Sequence, residues 1–521
     1  MVVVSAPDSA VTLDGDTLSL DQLVAISRGN QSAAVPEVSR ERIKVSRLVI
    51  EEVLRGEAPV YGVTTGFGAL HDRVIRPQDI ELLQENIILS HAAGVGAHLP
   101  CDVVRAMIAL RVNTFAKGFS GVRPELVDAL LALLNRGVTP MVPIQGSVGS
   151  SGDLAPLAHM SAVLLGRGSA YYRGKLMPGA RALRAAGLAP ITLAAKEGLA
   201  LTNGTQFMTA MGALTLYDAR NLATCADIAA ALTLEALKGR SSAFRPRIGD
   251  LRPHVGHEEA AGNIRRMVAG SQFVDRADDD TKGVVQDAYS LRCVPQVHGA
   301  SRSALGHVHQ TLNVEMNSVN DNPIVLPEEA EICSAGNFHG QPMALVLDYL
   351  AIAVSELASI SERRCARLLD NRDNRGLPAF LVANSGLNSG LMIAQYTAAA
   401  LVSENKSLAH PASVDSIPTS ANQEDHNSMG SVAARHARAI ADNVTQVLAI
   451  EMLCACQGLA FRLNGGLSSG DGTSAAYRLI RESVPTLDTD RELYEDIKAI
   501  AGLITSRRLP EAVAAATGPL S

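Results

Sequence analysis

Apolar residues recur at helical spacing along most of this chain, in runs longer than a globular helix usually needs. The clearest lie over 208–238, 298–317, 341–370, 390–407 and 432–462, rich in alanine and carrying apolar residues on wide faces. Small alanine faces let such helices pack closely, so the pattern predicts a mainly α protein: an elongated bundle of long helices over 209–521. Before it, over 1–208, the pattern is shorter and more broken, and it predicts a smaller head of helices and loops. There, TLSL near residue 17 reads as a short strand, with helices around Leu23 and over 42–55. ELLQENIILS predicts a helix over 81–90. VRPELVDALLALLNRG predicts another, opened by Pro124 and closed by Gly137. The most apolar long stretch, starting at Met343, contains Asp348 and Glu356, which argues for a buried helix over a membrane span.

Composition narrows the class. The chain has 521 residues, 47% of them hydrophobic and 19% charged, with no tryptophan and a net charge of −7. That balance gives no basic footprint for nucleic acid or an anionic membrane surface. The N-terminal segment carries acids early and no long apolar core, unlike a signal peptide. Seven scattered cysteines suit reduced thiols in a cytoplasmic protein. There is no CxxC or HExxH, and His307 and His309 fall on different helix faces, so no metal site is expected.

The chemistry concentrates in GSVGSSGDLAPLAHM, from Gly146 to Met160. Gly149 and Gly152 bracket two serines and permit a tight fold. With no Cβ beside it, the Gly152 nitrogen could attack the Ser150 carbonyl carbon and close a five-membered ring. Loss of that oxygen as water, then of the Ser151 hydroxyl as a second water, would leave an exocyclic methylene, an electrophile made from protein alone. Ser150 needs only a carbonyl and a small side chain for this. Asp153 suits an N-cap and LAPLAHMSAVLLG a helix ending near Gly166, whose N-terminal positive potential would favour negative charge developing on the electrophile. A glycine-serine turn ahead of a core helix would look the same in isolation.

Other segments supply polar groups at element ends. YGVTTGFGAL, from Tyr61, is a glycine-rich loop; its tyrosine is either a packed surface ring or a phenol on a mobile flap, placed for proton transfer. His91 closes a helix beside small residues. Asn203-Gly204 reads as a turn. The loops at 285–293, 317–325, 334–342 and 418–430 hold more amides, carboxylates and rings than linkers require, and their convergence on one cavity would make a site.

Taken together, SHAAG, GSVGSSGDLAPLAHM, KEGLALTNGTQ, QDAYSLRC, GNFHGQP and SENKSLAHPASVDSIPTSANQEDHNSMG resemble, nearly end to end, the aromatic amino acid ammonia-lyases and aminomutases, most closely the histidine ammonia-lyase branch. The resemblance implies a 4-methylideneimidazol-5-one (MIO) built from Ser150, Ser151 and Gly152, with no external cofactor. The usual triad is Ala-Ser-Gly, so Ser150 departs from it only in a ring substituent. It implies that Asp153 and Asn203 assist cyclisation and hold the ring, with Phe338 packed against it and Asn337 alongside. Tyr61 would remove the β-proton of an amino acid substrate, which requires nearby positive charge or oriented donors to favour phenolate. Arg292 would clamp the substrate carboxylate, with Tyr289 and Gln286 assisting in binding and ammonia handling. His91 and Glu424 would meet the substrate ring. A carboxylate suits an imidazole N–H and is badly paired against a phenyl ring, so Glu424 favours L-histidine, giving trans-urocanate. Some tyrosine-acting relatives share Ser-His near position 90, and tyrosine or phenylalanine, or an aminomutase outcome, is the alternative. The resemblance further implies a homotetramer whose sites combine residues of more than one subunit. An inert helical scaffold, in which SSG never cyclises, is the competing reading outside the enzymes.

Overall fold

The structure, a computed structural model, describes residues 10–56 and 59–521. The first residues of the N-terminal segment discussed above therefore lie outside it. Nineteen α-helices stand among the described residues against nine short strands, none longer than four residues. The long helical patterns form helices close to their expected bounds: Gln206–Ala236, Val294–Met316, Gln341–Leu369, Met392–Leu408 and Gly430–Leu463. Gln341–Leu369 and Gly430–Leu463 are long and apolar enough to cross a membrane, yet 67% and 83% of their most apolar windows are buried within the protein. Burial of that extent is what a core helix requires.

Contacts divide the chain into two compact units, neither of them one continuous stretch. The first comprises 1–214, 309–348 and 411–435; the second comprises 215–308, 349–410 and 436–521. A single boundary after residue 208 was the reading from the sequence. The division differs because long helices such as Gln206–Ala236 have residues in both units, and two later segments return to the first.

In the first unit, the TLSL stretch is not a strand. Ser19 caps the helix Leu20–Ser27, accepting from the Gln22 N–H while the Gln22 side chain accepts from the Ser19 N–H. Such a cap contributes about 1 kcal/mol and outweighs the weak strand propensity of a four-residue run. The strand lies earlier, where Val11–Thr12 pairs in parallel with Ala33–Ala34. The helix Ile80–His91 ends at His91 as expected, and Pro124–Asn135 is followed by Gly137 at φ +69°. Ile50, Val63, Ile80, Ala195 and Val325 form an apolar cluster. Val63 is fully buried there, which anchors the glycine-rich loop two residues after Tyr61. The second unit has its own core, in which Arg364 and Glu451 form a fully buried ion pair with two hydrogen bonds, Nε to Oε1 at 2.5 Å and Nη2 to Oε2 at 2.7 Å.

Candidate functional site

The reactive loop is held from two sides within the first unit. On one side, the Gly204 N–H donates to the Ser151 carbonyl (3.1 Å) and the Asp153 N–H donates to the Gly204 carbonyl (2.7 Å). Gly152 has φ +80°, and a Cβ there would lie 2.1 Å from the Gly204 oxygen, so only glycine fits. On the other side, the Ser428 hydroxyl donates to the Gly149 carbonyl (2.9 Å), the Met429 N–H to the Val148 carbonyl (2.9 Å), and the Ser431 hydroxyl to the Ser147 carbonyl (2.6 Å). Ser150 and Gly152 bridge each other across Ser151, the compact arrangement that ring closure between their backbones needs. These observations fit a methylideneimidazolone formed in place: the loop is tightly turned, and every flanking backbone group named here is bonded.

Asp153 departs from its expected role. It precedes the helix Leu154–Ala162 but makes no side-chain cap there. Its Oδ2 accepts from the Met208 N–H (2.9 Å), at the start of Gln206–Ala236, and its Oδ1 from the Ser147 hydroxyl (3.1 Å). It is fully buried, and desolvation pushes its carboxyl up to about 7 despite those donors. A folded-state value above the unfolded 3.8 makes a contribution to stability that is complete below about pH 4. That contribution is lost as pH rises through about 7, and amounts to at most about 4 kcal/mol. In the Ser151→Ala background, where no methylene can form, Asp153→Asn should therefore melt progressively higher relative to its parent as pH rises from about 5 to about 8. Parallel melting profiles for the two chains would contradict the buried-acid assignment.

A cavity of about 790 Å³ opens over the loop, a volume ordinary for a small-molecule site. Tyr61, His91, Ser150, Ser151, Asn203, Phe338 and Glu424 all line it. The Ser151 hydroxyl donates to Glu424 Oε1 (3.1 Å), while the Thr419 hydroxyl donates to Oε2 (2.7 Å). His91 Nδ1 lies 3.1 Å from the Ser90 hydroxyl, and burial lowers its pKa, favouring a neutral ring. The turn after His91 is fixed by the Gly94 N–H donating to His159 Nε2 (3.0 Å), which ties SHAAG to the helix after the reactive loop.

Tyr61 does not meet the expectation of a phenolate-favouring setting. Burial raises its pKa, Glu424 adds to the rise, and the Gly68 N–H donating to its oxygen (3.3 Å) offsets only part. Gln286, Tyr289 and Arg292 belong to the second unit and are not among the residues lining the cavity. Tyr289 is 70% exposed, with the Arg292 guanidinium stacked 4.6 Å from its ring centre and its Nε bonded to the Asp287 carbonyl (3.0 Å).

Sequence reasoning missed several participants. Gly204 grips the reactive loop through its backbone, for which Asn-Gly was the only sign. Thr419 and Ser147 orient the two carboxylates. Stacked His339 and His426 line the cavity, their ring centres 5.8 Å apart.

Residues 18–482 match the family model described as aromatic amino acid lyase. The chain is 52% identical over 501 residues to histidine ammonia-lyase of Caldanaerobacter subterraneus subsp. tengcongensis, covering 96% of this chain and 97% of that one. It is 54% identical over 507 residues to histidine ammonia-lyase of Symbiobacterium thermophilum, covering 97% and 99%. Among solved structures, histidine ammonia-lyase from Trypanosoma cruzi superposes with a TM-score of 0.89 at 42% identity, covering 98% of this chain and 96% of that one. Tyrosine aminomutase from Streptomyces globisporus superposes with a TM-score of 0.93 at 37% identity, covering 98% and 100%. With the reactive loop, the cavity above it and these full-length likenesses agreeing, the chain belongs to the aromatic amino acid lyase family, the carbon–nitrogen lyases of aromatic amino acids.

Proposed function

We propose that this chain is a histidine ammonia-lyase that eliminates ammonia from L-histidine without oxidation, leaving trans-urocanate. The observation that carries the substrate is Glu424, a carboxylate on the cavity wall in hydrogen-bond contact with the Ser151 hydroxyl. The methylideneimidazolone that Ser150, Ser151 and Gly152 would form would supply an electron-poor methylene, an electron acceptor for the departing amine.

The chain's own groups do the rest. Glu424 Oε1 loses its partner when the Ser151 hydroxyl leaves, while Oε2 stays fixed by Thr419. The freed oxygen can accept an imidazole N–H, whereas facing a phenyl ring it would stay unpaired and desolvated. His91, kept neutral by burial, presents an uncharged ring beside the substrate's. Tyr61 takes the β-proton. An imidazole N–H donating to Glu424 disperses the negative charge that opposes Tyr61 ionisation, so substrate binding itself activates the base.

Gln286, Tyr289 and Arg292 complete a neighbouring copy's cavity in a homotetramer. The exposure of Gln286 and Tyr289 supports this reading, since polar and aromatic side chains on one surface are then available to another subunit. Arg292 from the neighbour would clamp the substrate carboxylate and add a cation near Tyr61. The seven cysteines, all unpaired, suit a reducing cytoplasm. Likeness to the tyrosine aminomutase extends to the whole fold and so does not select a substrate; Glu424 does.

Incubating the purified protein with L-histidine, L-tyrosine and L-phenylalanine, and following the ultraviolet band of the conjugated acid, tests the assignment. A band growing with histidine is expected. Turnover of tyrosine with none of histidine would overturn it.

A further inference from the structure

Arg111 is completely buried in the helix Cys101–Ala116. Its Nη2 donates to the Asn203 carbonyl (2.5 Å) and to Gln206 Oε1, and its guanidinium stacks 5.4 Å from the centre of the Phe115 ring. Nε and Nη1 are buried with no hydrogen-bond partner among the described residues. Desolvation lowers its pKa to about 10, with Asp321 and Asp153 the charges that oppose the fall, so it stays a cation at neutral pH. Burying a cation on neutral acceptors, with two donors unused, works against stability. A side chain of similar volume without charge would pack there at no such cost.

What the guanidinium holds is the peptide that grips the reactive loop. The carbonyl that accepts from Arg111 belongs to the same peptide unit as the Gly204 N–H, which donates to the Ser151 carbonyl (3.1 Å). Hydrogen bonds in series polarise one another, so the cation sharpens donation onto that carbonyl. No slack separates them: a Cβ on Gly204 would lie 2.7 Å from Arg111 Nη2 and 2.6 Å from Gln206 Oε1. Gln206 is itself fixed, its Nε2 donating to Asn320 Oδ1 (2.7 Å) and Thr114 Oγ1 (3.1 Å).

We propose that Arg111 is a positioning residue for the dehydration of Ser151, acting through the Asn203–Gly204 peptide on the Ser151 carbonyl. Dehydration removes the Cα–H next to that carbonyl. The C–H electrons form the Cα=Cβ bond, the Cβ–Oγ pair leaves with the hydroxyl, and proton and hydroxide depart as one water. A donor on the adjacent carbonyl acidifies the Cα–H by stabilising charge that develops on the oxygen. The inference rests on the methylideneimidazolone reading and concerns how the group is made.

Intact mass of purified chains reads it directly. Arg111→Met, similar in bulk and without donors, should yield folded protein whose chains keep one or both waters, with the fully dehydrated fraction down at least about tenfold. Arg111→Lys, which keeps the charge on a single point, should give a mixture between Met and wild type. Leu130→Ala, a cavity variant in the buried face of Pro124–Asn135, should lower the melting temperature and still lose both waters. Full dehydration of both Arg111 variants would overturn the proposal, as would equal loss of maturation in Leu130→Ala. If Arg111→Met does not fold, complete dehydration of Arg111→Lys alone overturns it. Wild type with undiminished mass would instead remove the electrophile itself, a separate failure visible before any variant is made.

Discussion

Ser151→Ala should give a folded protein that never undergoes the second dehydration and whose turnover of L-histidine falls by at least about a thousandfold. The size of the loss follows from the chemistry. Ammonia is a poor leaving group and the β-hydrogen is barely acidic, so the side chains lining the cavity cannot substitute for a conjugated electron acceptor. The fold should survive, because in the undehydrated chain the Ser151 hydroxyl makes one hydrogen bond among the described residues, to Glu424, at a half-buried position, and maturation itself gives that bond up. Relative to that undehydrated chain, losing it costs about 1 kcal/mol. Circular dichroism and melting would report the fold, intact mass the absent dehydration, and ultraviolet absorbance the turnover. Substantial residual turnover would take the electrophile out of the mechanism.

Glu424→Gln should cost histidine turnover roughly tenfold to thirtyfold in kcat/KM and leave any slow activity on phenylalanine unchanged or higher. Glutamine keeps the shape and can still accept from Thr419, so the change removes charge and little else. A charge-assisted bond to the imidazole N–H becomes a neutral one, while a phenyl ring loses an unfavourable neighbour. Tyr61 supplies a second, opposing effect. Glu424 raises its pKa, and removing that charge lowers it. The acidic limb of the pH–rate profile should therefore move to lower pH in the variant, because the base becomes available sooner. Equal losses on both substrates with an unmoved acidic limb would mean that Glu424 neither selects the substrate nor acts on Tyr61.

Periodicity and punctuation carried the secondary structure well where both are local. The five long alanine-rich helices begin and end within a few residues of their expected bounds, and His91 closes its helix, because caps and apolar spacing are properties of neighbouring residues. TLSL failed for the opposite reason, since Ser19 and Gln22 form a reciprocal cap that a strand-like composition conceals. The site was legible as a set of motifs and opaque in its partners. That Asp153 serves Gln206–Ala236 rather than its own helix depends on a contact across fifty-five positions. Tyr61 lies outside a phenolate-favouring setting because burial and Glu424, neither visible in YGVTTGFG, raise its pKa. Arg111 gave only one sign, a lone cation in the apolar run MIALRVNTFA.

The grip of Ser428 and Ser431 on the reactive loop has a consequence for when the protein becomes competent. The bonded pairs Gly149–Ser428 and Ser147–Ser431 are 279 and 284 positions apart. A ribosome adding roughly 5–20 residues per second completes the serines of the loop many seconds before it delivers their clamp. Until then, Ser150, Ser151 and Gly152 belong to an open segment whose closure entropy has yet to be met. If the loop matures as proposed, self-modification is thereby deferred until the polypeptide is nearly finished, and a truncated product ending before residue 428 would leave the ribosome without its electrophile.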